Sequence, residues 1–122
     1  MRRCLVKIFL YGTESDKNQF ANALCRLPDF EYRNFQISAF SDYDNFVAEL
    51  GNGPPECVVV TMNGAGGMEG VIAAKDMHGS VPVIWFSDDK AFGVQSYRLG
   101  CTYFHQKPVS SEILSAAMAK CV

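Results

Sequence analysis

Cys57-Val58-Val59-Val60-Thr61-Met62 and Val81-Pro82-Val83-Ile84-Trp85-Phe86 decide the fold of this chain. Neither run alternates apolar with polar; each is apolar at nearly every position. A strand that is greasy on both faces needs cover on both faces, which is the situation at the centre of a parallel sheet flanked by helices. Working outward, Cys4–Tyr11 (CLVKIFLY) is another short apolar run, ended by Gly12. Phe35–Phe40 is only half apolar and suits an edge strand, and Thr102–Gln106 is a fifth short strand broken by Lys107-Pro108.

Helical patterns separate the strands. Phe20, Leu24 and Leu27 share one face of a helix over Asp16–Leu27, which Pro28 stops. Ser41 or Asp42 caps a second helix whose buried face is Phe46, Val47 and Leu50. The loop Gly51–Pro55 follows. Asn63–Gly70, with four glycines in eight residues, reads as a tight turn into a short helix over Val71–Met77. Its backbone N–H groups are also of the kind that cradle anions, although neither GxGxxG nor the P-loop lysine spacing is present. A fourth helix over Lys90–Leu99 is closed by Gly100. Ser110 caps a fifth whose inner face is Ile113, Leu114, Ala117, Met118 and Cys121. Strands alternating with helices demand right-handed crossovers. The expectation is therefore a single α/β domain over residues 1–122, a flavodoxin-like three-layer sandwich with a five-stranded parallel sheet of order 2-1-3-4-5. Its site should lie beyond the carboxyl ends of the strands, near the switch point between the first and third.

Composition narrows the function. The chain has 122 residues, 48% of them hydrophobic and 20% charged, with a net charge of −2, so it is one globular domain and not a disordered segment. No basic cluster exceeds Arg2-Arg3, which argues against direct nucleic-acid binding. No apolar run reaches the ~18 residues of a membrane span. Nothing after Met1-Arg2-Arg3 reads as a signal peptide, so the expected location is cytoplasmic. The five cysteines, Cys4, Cys25, Cys57, Cys101 and Cys121, form no CxxC pair, and an odd, scattered set suits reduced thiols used as small hydrophobes. His78 and His105 lack neighbouring ligands and read as packing or surface residues.

Three stretches, in order and at matching separations, resemble the receiver domain of bacterial response regulators. They are Glu56–Met62 with Gly67-Met68-Glu69-Gly70, Val81–Ser87, and Leu99-Gly100-Cys101-Thr102-Tyr103-Phe104-His105-Gln106-Lys107-Pro108. The resemblance implies two acids after the first strand that hold Mg²⁺ and an Asp after the third that accepts a phosphoryl group. It also implies a hydroxyl and a Lys on the phosphoryl oxygens, and an aromatic switch. Position by position, Ser87 matches the hydroxyl, Lys107 the lysine and Phe104 the aromatic. The acceptor position, however, is Thr61, and the acidic-pocket positions are Gly12 and Thr13 with Glu14 beside them. A threonine hydroxyl is a poor nucleophile without a base, and Mg²⁺ wants carboxylate oxygens that only Glu14 offers here. The expectation is a degenerate, pseudo-receiver site with no catalytic residues, weak or absent Mg²⁺ binding and no other cofactor. Lys107 is expected to pair with Glu14 or Asp88.

Such a module belongs to two-component, phosphorelay signal transduction and acts by protein–protein contact. The resemblance places docking and dimerisation on the fourth helix, fifth strand and fifth helix, here Phe92, Gln95, Tyr97, Arg98, Tyr103, His105 and Glu112. The expected partners are signalling proteins or a second copy, not nucleic acid or membrane. A competing resemblance lies in Tyr11-Gly12-Thr13-Glu14-Ser15, which looks like the phosphate loop of flavodoxins and implies an FMN or other anion-binding electron-transfer protein. Against it, Asp16 stands where that family has Gly and would repel a phosphate, and Trp85 lies inside an apolar strand.

Overall fold

The computed structural model describes residues 5–27 and 34–121. Cys4, at the start of the expected first strand, Pro28, the expected stop of the first helix, and Arg2-Arg3 lie outside these. The elements alternate without exception: β1 (Leu5–Tyr11), α1 (Glu14–Cys25), β2 (Asn34–Phe40), α2 (Tyr43–Asn52), β3 (Cys57–Val60), α3 (Gly64–Met77), β4 (Val83–Ser87), α4 (Phe92–Leu99), β5 (Tyr103–Gln106) and α5 (Ser111–Ala119). All strand pairs are parallel, in the order β2-β1-β3-β4-β5, as the apolar runs predict. β3 and β4 are buried along their whole length, while β2 and β5 form the edges.

Alternation along each strand divides the core in two. Ile8, Leu10, Cys57, Val59, Ile84 and Phe86 face α1 and α5, where Phe20, Leu24, Leu114 and Met118 cover them. Phe9, Tyr11, Val58, Val60, Val83 and Trp85 face the other way, against Phe46 and Leu50 of α2, Val71 and Ala74 of α3, and Phe92 of α4. Each fully buried side chain of this size contributes about 1.5–3 kcal/mol of transfer free energy.

Local chemistry sets the helix ends. Thr13, Asp42 and Ser110 are extended and accept from Asp16 N (3.2 Å), Asn45 N (3.0 Å) and Ile113 N (3.2 Å). α4 ends on Gly100 at φ 75°, a left-handed conformation that suits glycine. His78 Nε2 lies 2.6 Å from Leu50 O and ties the end of α3 to α2.

Several element ends differ from the sequence expectation by about two residues, α4 starting at Phe92 and β4 at Val83, and two differences bear on the site. α1 begins at Glu14, not Asp16, because the Thr13 hydroxyl caps it. α3 runs unbroken from Gly64, so the glycine-rich stretch is helix and not a turn before Val71. The reason is clearance. A Cβ on Gly67 would lie 2.2 Å from Met62 O, and one on Gly70 would lie 2.5 Å from Tyr11 Cδ2. These glycines let α3 press against the sheet, which offsets the ~1 kcal/mol that each costs inside a helix.

Candidate functional site

The carboxyl ends of β1, β3, β4 and β5 converge on Lys107. Its backbone N–H donates to Ser87 O (2.8 Å) and the Lys107–Pro108 peptide is cis. The ammonium reaches back across the sheet edge and donates to Thr61 O (2.6 Å), Asn63 Oδ1 (2.7 Å) and Asp16 Oδ2 (3.3 Å). An ammonium has three N–H groups, and here all three are matched by acceptors of the protein. The ion pair is partly sheltered, with Lys107 and Asp16 side chains 21% and 19% exposed.

The expected pairing of Lys107 with Glu14 or Asp88 is therefore corrected. Glu14 faces solvent and lies 3.9 Å from Lys17, its neighbour one turn on. Asp88 is exposed and accepts from Ser87 Oγ at 3.4 Å. Asp16 takes the role because the Thr13 cap starts α1 early and places Asp16 in the first turn, at the sheet edge. The Thr13-x-x-Asp16 spacing, a capping pattern, is the signal from which this could have been read. Asn63 was equally legible as a cap residue, yet it makes no side-chain cap on α3, since its carbonyl oxygen serves Lys107.

Thr61 and Gly12 fit as a pair. Thr61 is 5% exposed, and its Oγ1 is buried without a hydrogen-bond partner among the described residues. That oxygen occupies the space of a side chain at position 12: a Cβ on Gly12 would lie 1.9 Å from it. Thr61 N and Met62 N both donate to Tyr11 O, at 2.8 and 3.2 Å, and Gly12 N donates to Phe40 O at 2.9 Å, so the backbone here is held from both sides. Ser87 is fully buried at the end of β4, and its Oγ accepts from Asp89 N at 3.2 Å. Phe104 is half-buried with its ring edge-on to Trp85, centroids 5.4 Å apart. Trp85 also contacts Phe92 at 5.3 Å.

The residues named for docking separate into two groups. Phe92 packs against Trp85, and Tyr103 packs edge-on against Phe86. Tyr97 is 88% exposed, with Arg98 exposed beside it, and Val94 one turn earlier is 60% exposed. Gln95 and His105 are half-buried, His105 with Nδ1 2.7 Å from Gln106 O, and Glu112 is exposed.

Mg²⁺ does not fit this donor set. Thr61 O and Asp16 Oδ2, the oxygens a dication would use, already lie within hydrogen-bond distance of a fixed ammonium. Position 12 has no side chain, and Glu14 points away. For the flavodoxin resemblance, the Thr13 hydroxyl is engaged with Asp16 N, and the Asp16 carboxylate borders the site.

Beside Lys107, between α1 and the β5–α5 connection, lies a cavity of about 420 Å³. Phe20, Phe86, Val109 and Leu114 form its apolar walls, and Asp16, Asp88, Thr61 and Lys107 its polar part.

The sequence matches no protein-family model and no curated protein. Solved structures, by contrast, superpose over nearly the whole chain. A protein from Sinorhizobium meliloti described as a CpaE2 pilus assembly protein has a TM-score of 0.74 at 16% identity, over 96% of this chain and 100% of its own. A CheY-like response regulator receiver domain from Methanospirillum hungatei has 0.73 at 17%, over 96% and 93%. An orphan response regulator of H. pylori has 0.72 at 15%, over 99% and 100%. The chain has the CheY-like receiver fold. At these identities the likeness concerns architecture, and what the site does rests on its own residues.

Proposed function

We propose that this chain is a receiver-type signalling module that takes no phosphoryl group and works by binding another protein. One observation carries the reading: all three N–H groups of Lys107 are bound internally, beside a neutral Thr61 packed onto Gly12. In a phosphorylated receiver that lysine would serve an incoming anion. Here an anion would first have to displace Asp16 or Asn63, with no carboxylate to accept the phosphoryl group at position 61. Phosphoryl transfer also relies on a metal to neutralise developing charge, and the donor set is unsuited to one. The activity is binding rather than catalysis.

The fold neighbours include response regulators and a pilus assembly protein, and they support a role in two-component signalling. The docking face centres on Val94, Tyr97 and Arg98 of α4, flanked by Gln95, His105 and Glu112, because exposed tyrosine and arginine make good interface anchors. The unpaired cysteines favour a reducing, cytoplasmic setting. Among the described residues no helix is long and apolar enough to cross a membrane.

The test is incubation with acetyl phosphate and Mg²⁺, followed by intact mass and amide-shift mapping. The expected result is no added phosphoryl group and no saturable shift at Thr61 or Lys107. A phosphorylated product would overturn the reading. The Thr61→Asp variant is expected to stay unphosphorylated too, since the metal site is still lacking.

A further inference from the structure

Two cysteines from distant parts of the chain meet at the end of the sheet opposite Lys107. Cys57 opens β3 and is fully buried in the α1–α5 core. Cys121 follows α5, where its backbone N–H donates to Met118 O at 3.0 Å, and its half-buried side chain packs against the same core. The two side chains are in contact. The Cys57 S–H donates to the Cys121 sulfur, and Val58 O lies 3.8 Å from the Cys57 sulfur. Both cysteines are free thiols. Packing alone does not call for sulfur at both positions, since a small apolar side chain would fill either one.

The two thiols differ in a way that assigns them roles. Cys121 keeps partial access to solvent, and the hydrogen bond from Cys57 holds its thiol below the ordinary value; burial works against this and Lys120 works with it. The thiolate is the reactive form of cysteine. Cys57 is sealed from solvent and retains its proton. An oxidant that reaches Cys121 therefore acts on a sulfur that already touches a second thiol. Cys25, exposed on α1, and Cys101, whose thiol burial pushes up to about 11, serve as internal comparisons.

We infer that Cys57 and Cys121 form a redox-sensitive pair, which a peroxide closes to a disulfide that fastens the end of α5 to the start of β3. The Cys121 thiolate attacks one peroxide oxygen, the O–O bond breaks, and Cys121 becomes a sulfenic acid while hydroxide leaves. The Cys57 sulfur then attacks the Cys121 sulfur. The S–O bond breaks, and the oxygen departs as water with the Cys57 proton. The hydroxide takes up the proton that Cys121 released. Two thiols have lost two electrons, and the peroxide has been reduced to two waters. The resting state is the dithiol, as suits a reducing compartment. The pair uses none of the residues around Lys107, so it stands whether or not the chain accepts a phosphoryl group.

The experiment treats the reduced full chain with hydrogen peroxide, blocks remaining thiols in denaturant, and maps the unreduced digest by mass spectrometry. The expected product is a monomer that has lost two hydrogen atoms and yields a Cys57–Cys121 linked peptide. Its Tm should rise by at least about 5 °C, because the bond constrains the unfolded chain. Dithiothreitol should restore both the mass and the Tm. Cys121→Ser, at a half-buried position, should stay folded, form no link, and leave Cys57 a free thiol after the same treatment. Cys57→Ala should stop at the sulfenic acid, which dimedone traps on Cys121. The inference is overturned if peroxide leaves Cys57 and Cys121 unlinked in the folded chain. It is also overturned if either cysteine pairs instead with Cys4, Cys25 or Cys101, or if the linked form melts below the dithiol.

Discussion

The two faces of the sheet are packed by different rules. On the α2–α3–α4 face, aromatic rings interlock: Tyr11 stacks on Phe46 at 4.9 Å and 7°, and Trp85 lies between Phe92 and Phe104. Glycines at 67 and 70 bring α3 so close that even a methyl group has no room. On the α1–α5 face the side chains are mostly aliphatic, and a cavity of about 420 Å³ remains beside Lys107. Close packing was possible where helix residues were small enough for the backbone to approach. Asp16, Gln19 and Ala23 of α1 line the gap that remains beside the β5–α5 connection. One face is closely interlocked, and the other leaves a cavity.

This contrast can be broken by mutation, the largest effects coming first. Trp85→Ala removes the centre of the aromatic face and is expected to cost about 3–5 kcal/mol in urea unfolding. A loss below about 1 kcal/mol would mean that this face is not the tighter one. Gly67→Ala should cost about 1–3 kcal/mol, since its Cβ would meet backbone and not a movable side chain. Gly12→Ala should cost a similar amount alone. Here the obstacle is the Thr61 hydroxyl, so the double variant Gly12→Ala/Thr61→Ala should regain most of the loss, and a thermodynamic cycle reads the coupling directly. Absence of coupling would show that the two positions are not matched in solution. On the open face, Ala23→Leu should stay within about 1 kcal/mol of the parent, because the added volume enters empty space. A penalty as large as that of Gly67→Ala would erase the difference between the faces.

The smallest effect concerns pH. Burial pushes the Cys101 thiol up to about 11 from an ordinary value near 9, against an opposing pull from Lys75. The folded form thus holds this proton more tightly than the unfolded form. The contribution is complete below about pH 9 and is lost as pH rises through about 11. Cys101→Ala should flatten that part of the stability profile. Burial raises the Tyr11 phenol as well, with the charges of Glu69 and Asp42 adding to it, so some downward slope should persist in the variant. Cys57 and Cys121 behave as a pair in which the Cys57 thiol keeps its proton by hydrogen bonding to Cys121, aided by burial, so Cys57 should resist alkylation until the protein unfolds.

Much of the architecture was legible from composition patterns alone. The nearly continuous apolar runs Cys57–Met62 and Val81–Phe86 pointed to central strands and the half-apolar Phe35–Phe40 suited an edge, which is where β3, β4 and β2 lie. The strand-end positions of Thr61, Ser87, Phe104 and Lys107 followed from that order. The partners of Lys107 did not follow. Asp16 and Asn63 are 91 and 44 residues away from it, and no periodicity links residues across a sheet edge. The glycines of α3 misled for a related reason. Their local propensity favours a turn, and the benefit of having no Cβ exists only when Met62, Tyr11 and Trp85 are already in place.

The sequence by itself determined which segments become strand and which become helix, and how the strands are ordered, because hydrophobic period and chain connectivity act along the chain. Only the tertiary structure decided that Lys107 is internally neutralised, that Thr61 fills the space left by Gly12, and that a cavity opens next to both. Those outcomes depend on distances of a few ångströms between elements remote in sequence. Hydrogen bonding and steric exclusion fall off over those same distances, so they have no signature until the chain is folded.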